Sequence, residues 1–206
     1  MSLTGILLPL ITAATGLGGG LGGVFLGSRL TDEREREKRR GDYINRQLTE
    51  FYGPLLGLRA TIAAHSELRV KLEGAQDSSW RQLVAEARQS DGVSAITRLR
   101  EGPLGKKYEG MIDYENQKFR EMLFPLYQKM VETFRDNISL AEPDTRKHFP
   151  ALIEYVDVWD RFLQGKLPGQ VSQALGHTEA NLHPLYDNIR ETHDRLGAQQ
   201  ASPKRH

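Results

Sequence analysis

The chain contains no cysteine, which excludes a disulfide framework and any thiolate metal site. It has almost no net charge, since 28 basic residues face 27 acidic ones. A nucleic-acid binder carries a basic stripe, so no nucleic-acid partner is expected. Strand-like alternation is missing throughout, which argues against a sheet. The six histidines fall into no H-E-x-x-H, H-x-x-x-H or E-x-x-H spacing, so neither a zinc site nor a di-iron bundle site is expected. There is no G-x-S-x-G elbow. Gly105-Lys106-Lys107 lacks the hydroxyl and the upstream glycines of a phosphate loop. These absences leave no expected catalytic residue, metal or cofactor.

Charge is also missing from one end. From Met1 to Ser28 there is no charged side chain, and from Arg29 onward charges are dense. The apolar stretch over 3–26 has about the length needed to cross ~30 Å of hydrocarbon as a helix. Its glycines would weaken a helix in water but are tolerated in lipid, where the backbone has no other partner. Residues 1–29 are therefore expected to form a single transmembrane anchor in the lipid bilayer. Arg29, Arg34, Arg36, Lys38, Arg39 and Arg40 follow the span, and only the α-amino group precedes it. The positive-inside bias then places the N-terminus outside a cell or inner membrane and the C-terminal mass in the cytoplasm.

Two rival readings of this segment fail on pattern. A signal peptide wants a basic region before its apolar core, and none is present. Gly18, Gly20 and Gly23 match G-x-G-x-x-G, but no second strand and no acid about 20 residues on completes a dinucleotide site. The glycines do share a helical register: Gly19, Gly23 and Gly27 recur every four residues, as do Gly16 and Gly20. Small residues at that spacing let a second helix approach closely, so self-association into a homo-oligomer is expected there.

Residues 30–42 are polar with alternating signs and read as a charged helical stalk, held by i,i+4 pairs such as Glu35 with Arg39, with a flexible juxtamembrane linker as the alternative. From 43 to 198 apolar residues recur at helical spacing. Ile44, Leu48, Phe51, Leu55, Leu58 and Ile62 form the first stripe, kinked at Gly53-Pro54 and fading before Gly74. Gln76-Asp77-Ser78-Ser79 supplies caps for a short helix with Trp80, and Ser90-Asp91-Gly92 reads as a turn. The clearest helix spans 107–140 with a kink at Pro125, carrying Tyr108, Met111, Ile112, Phe119, Met122, Leu126, Met130, Phe134 and Ile138 on one stripe. Further helices follow around Phe149–Leu163, Val171–Leu175 and from Thr178, before a disordered tail over 199–206. Such stripes are covered only by packing on one another, so the expected fold is all-α, an antiparallel cytoplasmic helical bundle.

Pro-Leu recurs in three apolar helices, at Tyr52-Gly-Pro-Leu, Phe124-Pro-Leu-Tyr127 and His183-Pro-Leu-Tyr186. A shared kink would curve three helices around one core; chance recurrence among nine prolines is the alternative, and spacing this irregular is no solenoid repeat. His183 with Asp187 and Asp144 with His148 are facing i,i+4 pairs, read as surface hydrogen bonds. Glu109 with Asp113, Asp187 with Glu191, and Glu154 with Asp157 and Asp160, read as solvated faces rather than acid/base pairs. Trp80 and Trp159 read as core anchors, and His193 as a buried or half-buried histidine on the apolar stripe. The function expected is a membrane-anchored, non-enzymatic scaffold or adaptor that docks a protein partner on its bundle. Two other classes fit the same pattern: a membrane-disrupting or pore-forming effector, and a membrane-tethered enzyme whose site is assembled from scattered residues.

Overall fold

A proline inside a helix removes one amide donor and presses on the carbonyl four residues back. Three such prolines organise this fold. The computed structural model describes residues 33–176 and 178–201, and no strand occurs among the described residues. The chain is all-α. It divides into two units, Met1–Arg46 and Gln47–His206. In the first, residues 33–46 form helix α1, exposed along its length apart from Ile44. Glu35 and Arg39 form the expected i,i+4 pair at 3.7 Å, with both side chains in solvent. No helix among the described residues is long and apolar enough to cross a membrane. The expected span over 1–29 and residues 30–32 of the stalk lie outside the described residues.

The second unit begins with a wide π-turn, Gln47–Tyr52, and a second one occurs at Phe119–Leu123. Each immediately precedes a helix with proline in its first turn, α2 (Gly53–Glu101) and α4 (Phe124–Asp136). Glu50 and Glu121, four residues before Pro54 and Pro125, sit inside these wide turns. A π-turn shifts the hydrogen-bond register by one residue, so the missing amide and the crowded carbonyl cease to conflict. Gly53 completes the first turn, because a Cβ there would lie 2.6 Å from the Leu48 carbonyl oxygen. The third proline is handled by a 3₁₀ turn, Glu179–Leu182, leading into α8 (His183–Ala201).

Between these elements lie α3 (Pro103–Lys118), α5 (Pro143–Arg146), α6 (Phe149–Leu163) and α7 (Gly169–Ala174). The first π-turn, the start of α2, α4, α6 and α8 form the bundle. Its interior holds Phe51, Ile62, Met130, Phe134, Leu152 and Leu182, all fully buried. Phe51 makes edge contacts with Tyr52 at 4.8 Å and Phe134 at 5.0 Å, and Phe134 stacks on Phe149 at 4.3 Å. Tyr52, Tyr127 and Tyr186, one from each Pro-Leu segment, are all buried. Residues from all three Pro-Leu segments therefore lie in one core.

Several local expectations change. α2 does not fade before Gly74 but continues to Ser90, where Asp91 and Gly92 (φ 60°) leave helical geometry. The residues 76–79 are mid-helix. Ser79 bonds the Tyr108 hydroxyl at 2.6 Å and Gln76 donates to the Tyr108 carbonyl at 3.2 Å, so neighbouring α3 uses the groups that a cap would have used. The helix expected over 107–140 starts at Pro103, is interrupted by the second π-turn and ends at Asp136. Of its stripe only Met130 and Phe134 are buried, while Met111, Ile112, Met122 and Ile138 are exposed. Residues 199–201, expected to be disordered, continue α8, and 202–206 lie outside the described residues.

The distal part of α2 and α3 form a helical hairpin. Between Ile62 and Leu123 the only buried residue is Gly105. At 1.5 Å per residue, the stretch 63–90 makes an arm about 42 Å long.

Candidate functional site

Two features stand out from ordinary bundle packing: a buried polar cluster in the core and an apolar groove on the arm.

The cluster sits where the kinked helices meet. Tyr127 and Tyr155 hydrogen-bond through their hydroxyls, with ring centroids 5.0 Å apart. Tyr186 stands beside them, and the Arg59 guanidinium lies over its ring, 4.2 Å from the centroid. Arg59 also pairs with Glu179 at 3.1 Å, each side chain about a quarter exposed. Burial dominates the acidity of all three phenols. It pushes Tyr155 up to about 12, and raises Tyr127 and Tyr186 as well, with Glu179 adding to each rise. These hydroxyls stay protonated at neutral pH, so they act as hydrogen-bond donors and not as bases or nucleophiles. The Tyr186 hydroxyl is buried beside Tyr127, and Trp159 Nε1 beside Tyr155.

A second polar group fastens the 140–145 segment to the core. Gln47 donates to the Leu140 carbonyl at 2.8 Å. The Tyr52 hydroxyl bonds Thr145 Oγ1 at 3.0 Å and accepts from the Glu142 amide at 3.0 Å. Glu142 in turn pairs with Arg195 of α8. Burial is again the main reason that the Tyr52 phenol is raised.

The arm groove lies between α2 and α3, with a volume of about 320 Å³. Leu72, Met111 and Tyr114 give it an apolar floor and wall, rimmed by Glu73, Lys107 and Glu115. Leu72 is 36 % exposed, Met111 41 % and Tyr114 61 %. On the other side of the hairpin Trp80 rests on Tyr108 at 5.0 Å. Trp80 is thus an arm residue, half-buried, and not the core anchor expected. Trp159 does join an aromatic cluster, with Phe119 at 4.8 Å and Phe162 at 5.5 Å.

The residues singled out in the sequence are not gathered into one place. Gly16, Gly19, Gly20, Gly23, Gly27 and Arg29 lie outside the described residues, and Arg34, Arg36, Lys38, Arg39 and Arg40 are exposed on α1. Asp187 is taken by Arg190 at 2.7 Å and not by His183. Asp144 bonds Lys147 at 2.6 Å, which lowers its carboxyl pKa, with His148 a lesser influence. Among the described residues no group of three His, Asp or Glu side chains is placed to hold a metal ion. Sequence reasoning missed Arg59 and Glu179, which stand 120 residues apart and carry no local signal. It also assigned Met111 to a core stripe, when the side chain is part of a surface. Comparison of the chain with protein-family models, with curated proteins and with solved structures returns no match.

Proposed function

We propose that this protein is a membrane-anchored, non-enzymatic helical scaffold. The N-terminal span tethers it, with its glycine face bringing copies together, and the arm docks a protein partner on the cytoplasmic side. The observation that carries this reading is the row of exposed apolar side chains lining the arm groove, Leu72, Met111 and Tyr114. Contiguous exposed apolar surface marks an interaction site, because solvating it costs free energy that a partner recovers. A groove between two antiparallel helices is shaped to take a further helix by its apolar face. Tethering copies in one plane raises the effective concentration of whatever docks.

The test uses full-length protein in its native membrane, carrying a photo-crosslinking residue at Met111 or at Ile153. Ile153 is similarly exposed, at 44 %, but lies on α6 of the bundle. Discrete adducts are expected from position 111 and not from 153. Adducts of equal yield at both positions, or none at 111, would refute docking on the arm.

A further inference from the structure

We infer that the occupant of the arm groove is the arm of a second copy of this chain. The two arms lie antiparallel about a two-fold axis beside Gly110. This rests on the docking reading above and names its partner.

Charge sets the direction. The bonds from Gln76 and Ser79 to Tyr108 place the 76 region of α2 level with Tyr108 of α3, near the middle of the arm. Beyond that level, residues 77–107 carry six basic and four acidic side chains; before it, residues 63–76 and 108–122 carry four basic and six acidic. The tip half is positive and the stem half negative by the same amount. Two parallel arms would set like charge against like, whereas two antiparallel arms set each half against its complement. An arrangement in which one patch meets itself is the isologous contact of a two-fold dimer.

The groove fits such a partner. Lys107 lines the groove toward the tip and Glu115 toward the stem, with Leu72 and Met111 between them, while Glu73, level with Met111, is held by Arg69 of its own helix at 2.7 Å. A two-fold axis beside Gly110 brings Lys107 of one copy to the Tyr114–Glu115 end of the other. Gly110 itself has open space, since a Cβ built there meets nothing within 4 Å. Packing inside the chain therefore does not demand glycine, which weakens a helix relative to alanine. The bare backbone is where a second helix can come closest. A face about 42 Å long and about two helix diameters wide offers roughly 800 Å² per copy, the size of a standard specific interface.

The experiment uses the full-length chain in lipid nanodiscs, and the absence of native cysteine makes every introduced thiol unique. Lys107→Cys chains and Tyr114→Cys chains are treated with a short bis-maleimide reagent, separately and mixed before reconstitution. Cross-linked dimer is expected in the mixture and lost in either sample alone. Adding Gly110→Trp to both chains should abolish it while the helical circular dichroism stays unchanged. Equal cross-linking in all three samples, no dimer in the mixture, or insensitivity to Gly110→Trp would each overturn the pairing. The Met111 photo-adduct keeps the two ideas apart. An adduct whose mass differs from that of two copies sinks the pairing and leaves docking intact, whereas no adduct at all sinks both.

Discussion

Met111 and Phe134 fall on the same apolar stripe in the sequence, yet Phe134 is fully buried and Met111 is 41 % exposed. The difference belongs to the regions they occupy. In the bundle, α4 is flanked by α2 and α6, so its stripe is covered from both sides. In the arm, α3 packs mainly on α2, and two helices alone cannot cover the faces they present. The same periodicity thus means core in one region and interaction surface in the other.

Core truncation should separate the regions most strongly. Phe51→Ala removes a fully buried ring in contact with Tyr52 and Phe134. A loss of about 3–5 kcal/mol in urea unfolding is expected for it, whereas Met111→Ala should stay within about 0.5 kcal/mol. A loss for Met111→Ala as large as for Phe51→Ala would mean that the arm is part of the core.

Alkaline pH should weaken the bundle next. The Tyr127, Tyr155 and Tyr186 phenols are raised above their ordinary value in the folded state. Between pH 10 and each folded-state pKa the unfolded chain has lost protons that the native chain keeps, so stability falls as pH rises. It is fully present below pH 10. The slope is about 1.4 kcal/mol per pH unit for each such phenol. Chemical unfolding measured from pH 9 to 12 should show the decline, and Tyr155→Phe should reduce its slope by the share of one phenol. A flat profile in the unmodified protein would mean that the phenols are solvated.

Tyr52→Phe is a smaller perturbation with a defined target. It leaves the ring packing and removes the bonds to Thr145 and to the Glu142 amide. About 1–3 kcal/mol should be lost, with faster hydrogen exchange in the 140–145 segment and no change in the arm. Gly74→Ala is the mildest. A Cβ there meets nothing within 4 Å, so the arm helix should gain up to about 1 kcal/mol, read as slower exchange of its amides. A loss instead would show that something packs on Gly74.

Much of this was legible in the residues. The helical class, the break at Asp91-Gly92, the irregular backbone next to Pro54 and Pro125 and the apolar helix carrying Phe149 to Leu163 all follow from local steric and periodic signals. The Pro-Leu segments even hinted at a shared core. The site was hardly legible at all. Arg59 and Glu179 meet across 120 residues of chain, and Asp187 chooses Arg190 over His183 because rotamer and reach, not spacing alone, select a partner.

The sequence by itself determined the helical class and the sites where proline or glycine disturbs a helix, though not every helix end, because backbone sterics, missing amides and side-chain periodicity act over a few residues. Only the tertiary structure decided which apolar stripes are covered. Burial depends on how many neighbours reach a face, and α4 has two flanking helices where α3 has mainly one. That count turned one stripe into a core at Phe134 and a docking groove at Met111.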